Sequence, residues 1–130
     1  MKCIIAGGRE ISDSSVLLAA LRSCPFTQTI REVVSGKAAG MDQLGEIWAG
    51  SMNFSIISFP ANWDKYGKSA GHARNVEMAE YANALIAIPG LGVGTQDMIR
   101  LARYQNSIRK FPIFIFYPSR EGSQHFEYIR

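Results

Sequence analysis

The stretch that decides the fold is "ALIAIPGLGVGTQDMIRLARYQNS", Ala84 to Ser107. It opens on an apolar run, Ala84–Ile88, and breaks into Gly90, Gly92 and Gly94. It then turns helical, with Met98, Leu101 and Ala102 on one inward stripe. A near-continuous apolar run of that length fits a strand buried on both faces, as in a parallel sheet covered by helices. The local unit is therefore strand, glycine loop, helix.

Four further apolar runs flank this unit: "KCIIA" (Lys2–Ala6), "TIREVVS" (Thr29–Ser35), "FSIISF" (Phe54–Phe59) and "FPIFIFY" (Phe111–Tyr117). The first and third of these also read as strands buried on both faces. Helical patterns lie between the runs. "SDSSVLLAALRS" carries cap candidates at Ser12 and Asp13, followed by Leu17, Ala20 and Leu21 on one face. "GMDQLGEIWAGS" puts Met41, Leu44, Gly45 and Trp48 on one face, and "GHARNVEMAEYA" follows the same logic. Alternation of this kind with right-handed crossovers predicts an α/β fold. We expect a three-layer Rossmann-like sandwich around a central, mostly parallel five-stranded sheet. It would occupy residues 1–117, with 118–130 as a polar C-terminal tail, either loose or docked on a neighbouring surface.

A chain of 130 residues suits one domain with a core of its own. The formal charge of +3 is mild and suits an anionic small ligand; there is no run of Lys or Arg to form a nucleic-acid tail. Cys3 and Cys24 form no C-x-x-C pair, and Cys3 falls in a strand as a small apolar residue. Nothing at the start resembles a secretory signal, and no apolar run approaches the ~20 residues of a membrane span. The expected setting is the cytoplasm, with no membrane partner and no metal.

In such a sheet the strand C-termini share one edge, where ligands bind. After the first strand, Gly7, Gly8 and Arg9 allow close backbone approach and a cation for phosphate; a tight turn with an exposed arginine gives the same letters. After the second come Ser35, Gly36, Lys37 and Gly40, small residues and a cation before a helix N-terminus, which favours an anion. Asp42 and Glu46 are one turn apart on that helix and can accept from ribose hydroxyls; acids near a helix start also simply complement its dipole. After the third strand a loop of about ten residues, longer than usual, holds Trp63, Tyr66 and Lys68, and Arg74 and Asn75 follow in the next helix, facing the same edge. "GKS" at Gly67–Ser69 lacks the glycine and strand of a Walker loop. His72 reads as a structural histidine first and an acid–base group second. After the fourth strand, Gly90, Gly92 and Gly94 with Thr95 as helix cap can cradle a phosphate, or form a plain glycine turn.

"IAGGREI", "SGKAAGMDQLGEIWA", "FPANWDKYGKSAGHARNVEMAEYANALIAI" and "GVGTQDMIRLA" together resemble the YspA-type SLOG proteins, over about Lys2 to Tyr117. SLOG proteins are Rossmann-like and include the Lonely Guy phosphoribohydrolases and the DNA-processing protein DprA. The resemblance implies a site for nucleotides or nucleotide-derived molecules, built on Gly7–Arg9, Ser35–Gly40, Arg74–Asn75 and Gly92–Thr95, with Asp42 and Glu46 in matching acidic places. It also implies roles in conflict between bacteria and phages, and dimers or larger assemblies. Two positions depart from the family. "GKAAGMD" stands for G-G-A-R-G-x-D, so Lys37 replaces a glycine and Ala39 an arginine. Met98 stands where Lonely Guy enzymes keep a catalytic glutamate, and Asp97 lies about 100° away around the helix.

Three functions follow as expectations. The first is a module that senses or sequesters a nucleotide-like molecule, such as a defence signal in a phage or mobile element. The second is a hydrolase of a nucleotide or N-glycosidic bond, with Glu46 and Asp42 as acid–base candidates and His72 behind them. The third is single-stranded DNA binding through Arg100, Arg103, Arg109 and Lys110, which a solvated helix face explains more simply. No cofactor is certain beyond a nucleotide-derived ligand. Self-association is expected, with the apolar side of Val76–Ala82 as a candidate surface.

Overall fold

Strands and helices alternate along the chain in the computed structural model, which describes residues 1–118 and 125–130. The order is β1 (Lys2–Gly7), α1 (Ser14–Ser23), β2 (Glu32–Ser35), α2 (Met41–Ser51), β3 (Ser55–Ser58), α3 (Trp63–Tyr66), α4 (Ala70–Tyr81), β4 (Ala84–Ile88), α5 (Gly94–Ile108), β5 (Ile113–Tyr117) and β6 (His125–Ile129). The strands form one sheet in the order β3-β2-β1-β4-β5-β6. The first five are parallel, and β6 runs antiparallel to β5.

The sheet has a core on each face, and the pleat of β1 shows why. Cys3 and Ile5 point to one side, where they join Leu17, Ala20, Met41 and Ala49 from α1 and α2. Ile4 points to the other side, with Met78, Met98, Ile99 and Ala102 from α4 and α5. β4 is buried along its whole length, as its apolar run requires. Both cysteines are free and buried, and burial pushes their thiols up. No helix among the described residues is long and apolar enough to cross a membrane.

Local signals place the helices. Asp13 caps α1, accepting from the Ser15 backbone N–H at 2.9 Å. Gly40 takes φ +74 at the start of α2, a left-handed conformation that glycine adopts without strain.

Four expectations need correction. The sheet has six strands, not five. "HFEYI" (His125–Ile129), within the stretch read as a tail, alternates ring and polar residues, so Phe126 reaches Phe114 (5.2 Å) and Tyr128 reaches Phe26 (6.2 Å) on one face. The rest of that tail beyond Pro118, residues 119–124, lies outside the described residues. The third strand is not buried on both faces: β3 sits at the sheet edge, and Ser55, Ile56 and Ser58 are exposed. The long loop after it is largely helical, with α3 and a 3₁₀ turn over Gly67–Ser69 leading into α4. Finally, Val93 rather than Thr95 holds the cap position of α5, because the helix already starts at Gly94.

Candidate functional site

The chain runs outward from β1 to β2 and β3, then returns to the other side of β1 as β4. The crevice at this reversal, above the C-terminal ends of β1 and β4, is where open α/β sheets take ligands. A cavity of about 410 Å³ lies there.

Backbone packing holds its loops together. Gly8 N–H donates to Ile88 O (3.1 Å), and Gly8 O accepts from Met41 N–H (3.2 Å), so the β1 turn joins β4 to the start of α2. A Cβ at Gly8 would sit 2.7 Å from Gly90 Cα, so the two loops meet backbone to backbone. The Glu10 carboxylate accepts from Leu91 N–H at 3.0 Å and ties the glycine loop from the other side. Gly90 is thus a packing residue. Gly92 and Gly94, by contrast, would have nothing within 4 Å of an added Cβ, so their backbone is open.

The polar centre is Arg74 with Asp42. Arg74 Nη1 donates to Gly36 O, and Nε donates to Asn75 Oδ1 (3.0 Å). A Cβ at Gly36 would lie 2.7 Å from Arg74 Nη1 and 3.0 Å from Asp42 Oδ2, so only glycine leaves this space free. Burial lowers the pKa of the Arg74 guanidinium; Asp42 opposes that shift and Arg9 adds to it. Asp42, only 7% exposed, accepts from Ala38 N–H at 3.2 Å. Burial pushes its carboxyl up to about 6, against the pull of that N–H and of Arg74.

Ten of the expected site residues line this cavity: Gly7, Gly8, Arg9, Gly36, Asp42, Arg74, Asn75, Gly92, Gly94 and Thr95. Six do not. Gly90 and Gly40 pack beneath the loops. Lys68 is exposed on the 3₁₀ turn before α4. Ser35, Lys37 and Glu46 satisfy one another beside the cavity. Glu46 accepts from Ser35 Oγ (2.6 Å) and from Lys37 Nζ (2.9 Å). Burial raises the Glu46 carboxyl, but hydrogen bonds from Lys37 and Ser35 outweigh it and hold it below its ordinary value. Lys37 sits at φ +62, where a side chain is strained, and this is the position at which the G-G-A-R-G pattern has glycine.

A family model described as "YspA, cpYpsA-related SLOG family" matches residues 1–66. The chain belongs to this family. The matched segment carries the first two loops around the crevice, Gly7–Glu10 and Gly36–Asp42; the fold brings Arg74 and the glycine loop to them. The chain is also 37% identical over 78 residues to "Gene 61 protein" of Mycobacterium phage D29. That match covers 55% of this chain and 62% of the relative, so the chain spans less than two thirds of the relative's length.

Several residues in and beside the cavity escaped sequence reading. Glu10 lines the cavity mouth and anchors Leu91; its place directly after "GGR" was the available signal. Ala38, Met78 and Val93 also line the cavity, and apolar residues in a helix or loop carry no mark of this. Asp97 accepts from Asn75 Nδ2 (3.0 Å), His72 Nδ1 (3.0 Å) and Arg100, so it orients Asn75 while neither Asp97 nor His72 lines the cavity. Met98, 1% exposed, lies in the cavity wall and offers no charge there.

Other expected surfaces are partly occupied. Arg100 pairs with Asp97 and Arg103 with Glu127, while Arg109 donates to Gln105 and to Ala79 O. On the Val76–Ala82 stretch, Met78, Ala79 and Ala82 are buried in the SLOG core. Among the described residues no three His, Cys, Asp or Glu side chains gather at metal-binding spacing.

Proposed function

We propose that this SLOG chain binds a nucleotide or nucleotide-derived small molecule in the crevice and acts as a sensor or a sequestering protein. One observation carries the proposal: the half-buried guanidinium of Arg74 stands in the wall of a cavity of about 410 Å³ at the sheet's reversal point. That volume suits a small-molecule ligand. A desolvated cation with Arg9 beside it favours an anion. In this reading Arg9 and Arg74 meet phosphate, the open backbone at Gly92 and Gly94 contributes amides, and Asp42 accepts from a ribose hydroxyl or an amine. Lys37 and Glu46 serve the loop rather than the ligand. The phage relative supports a setting in which sequestering a signal nucleotide would matter. A thermal-shift panel of nucleoside mono-, di- and triphosphates and cyclic nucleotides tests the proposal. Stabilisation by at least one, lost in Arg74→Ala, is expected; no shift with any would sink it.

A second reading, hydrolysis of a nucleotide or N-glycosidic bond, is favoured by Asp42 alone. A cavity carboxyl raised to about 6 is poised to give or take a proton near neutrality. Glu46, the other candidate, is held by Ser35 and Lys37 outside the cavity lining. Release of base or phosphate from a bound nucleotide, abolished in Asp42→Asn, would establish turnover. Binding without release leaves the sensor.

A further inference from the structure

Arg74 lines two cavities. The second, about 230 Å³, is walled by Asn62, Lys65, Tyr66, Glu77 and Arg74, among others, from α3, α4 and the turn before them. Arg74 Nη1 and Nε are bonded to Gly36 and Asn75, which line the larger cavity. Nη2 donates to no group among the described residues. A Cβ at Gly71 would lie 3.9 Å from it and 4.0 Å from Trp63 Cη2, which places Nη2 on the α3–α4 side.

The second cavity has its own chemistry. Asn62 Oδ1 is used as the cap of α3, accepting from Lys65 N–H at 3.1 Å, which leaves its amide N–H groups to donate. The Glu77 carboxylate makes no hydrogen bond or ion pair among the described residues and can accept. Tyr66 is 40% exposed, with Lys65 Nζ over its ring at 5.1 Å from the centre. An aromatic face beside free donors and acceptors suits a ring that carries hydroxyls: its C–H surface lies on the aromatic ring and its oxygens meet the polar groups.

Building on the nucleotide reading, we propose that the ligand has two parts. A nucleoside phosphate occupies the larger cavity, and a pyrophosphate bridges at Arg74. A second, hydroxyl-rich group fills the α3–α4 cavity against Tyr66 and Glu77.

Calorimetric titration with four series tests this: the monophosphate, diphosphate and diphosphoglucose of adenosine, guanosine, cytidine and uridine. For the base that binds, the diphosphoglucose should bind at least tenfold tighter than the diphosphate. Tyr66→Ala and Glu77→Gln should each remove most of that gain while leaving the monophosphate within threefold. Equal affinities for diphosphate and diphosphoglucose, or variants that weaken all three compounds alike, would overturn the two-part ligand while leaving the nucleotide site intact. Failure of every compound to bind would overturn the two-part ligand, and the nucleotide reading falls with it where the triphosphates and cyclic nucleotides give no thermal shift either.

Discussion

Asp42→Asn should make the protein more stable at neutral pH and progressively less so as the pH falls into acid. Asp42 is 7% exposed, and its carboxyl is raised from the ordinary 3.8 to about 6, chiefly by burial. A carboxyl raised in the folded state binds its proton more tightly there than in the unfolded chain. Between about pH 4 and 6 the native state therefore holds the extra proton, and stability falls as pH rises through that window, then levels off. Each tenfold change in the ionisation constant is worth about 1.4 kcal/mol, so the full loss is about 3 kcal/mol above pH 7. Asparagine imitates the protonated acid and can still accept from Ala38 N–H. Urea unfolding followed by tryptophan fluorescence should find Asp42→Asn more stable by about 1 kcal/mol at pH 4.5 and about 3 kcal/mol at pH 7.5. A variant that is equally shifted at both pH values, or destabilised at pH 7.5, would refute the reasoning. The wild type would thus keep a costly charge at its site, as binding sites commonly do. In the same variant nucleotide affinity should fall.

Other substitutions separate the groups that line the cavity from those beside it. Arg74→Ala should weaken nucleotide binding by roughly 10- to 100-fold, the worth of a charge-assisted contact, whereas Glu46→Gln should change it less than about threefold; calorimetric titration reads both. Lys37→Gly relieves a left-handed φ of +62 that costs roughly 1 kcal/mol and loses an ion pair whose lysine is half exposed, worth about 0–1 kcal/mol. Its urea midpoint should equal or exceed that of wild type and lie above that of Lys37→Ala by about 1 kcal/mol of stability. Gly92→Ala should leave the melting temperature unchanged, because nothing lies within 4 Å of the added Cβ, yet reduce affinity; Gly36→Ala should reduce both, because its Cβ meets Arg74 at 2.7 Å.

The central strands were legible because burial on both faces leaves a plain mark. "CIIA" and "ALIAI" admit no polar residue, and β1 and β4 are the two strands at the reversal point. β3 misled because "SII" looks alike at an edge and in the centre; strand order depends on crossovers that no single segment encodes. β6 was missed because only half of its alternating pattern is apolar and its partner strand decides its pairing. At the site, glycines that free a backbone and glycines that pack share one letter. Only coordinates separate Gly92, which is open, from Gly90, which sits under Glu10. The Lys37–Glu46 pair was equally hidden, since two charges at nearby loop and helix positions read as ligand groups until their distance of 2.9 Å is known.

The most direct test of the ligand crevice is a titration of the ¹⁵N-labelled protein with the nucleotide panel, followed through its backbone amide resonances. The amides of Gly7–Arg9, Gly36, Ala38, Asn75 and Gly92–Thr95, which come from separate loops and helices but line one cavity, should shift together with one affinity. Those of β3 and β6 should stay in place. Shifts confined to another surface, or none with any nucleotide at millimolar concentration, would contradict the account.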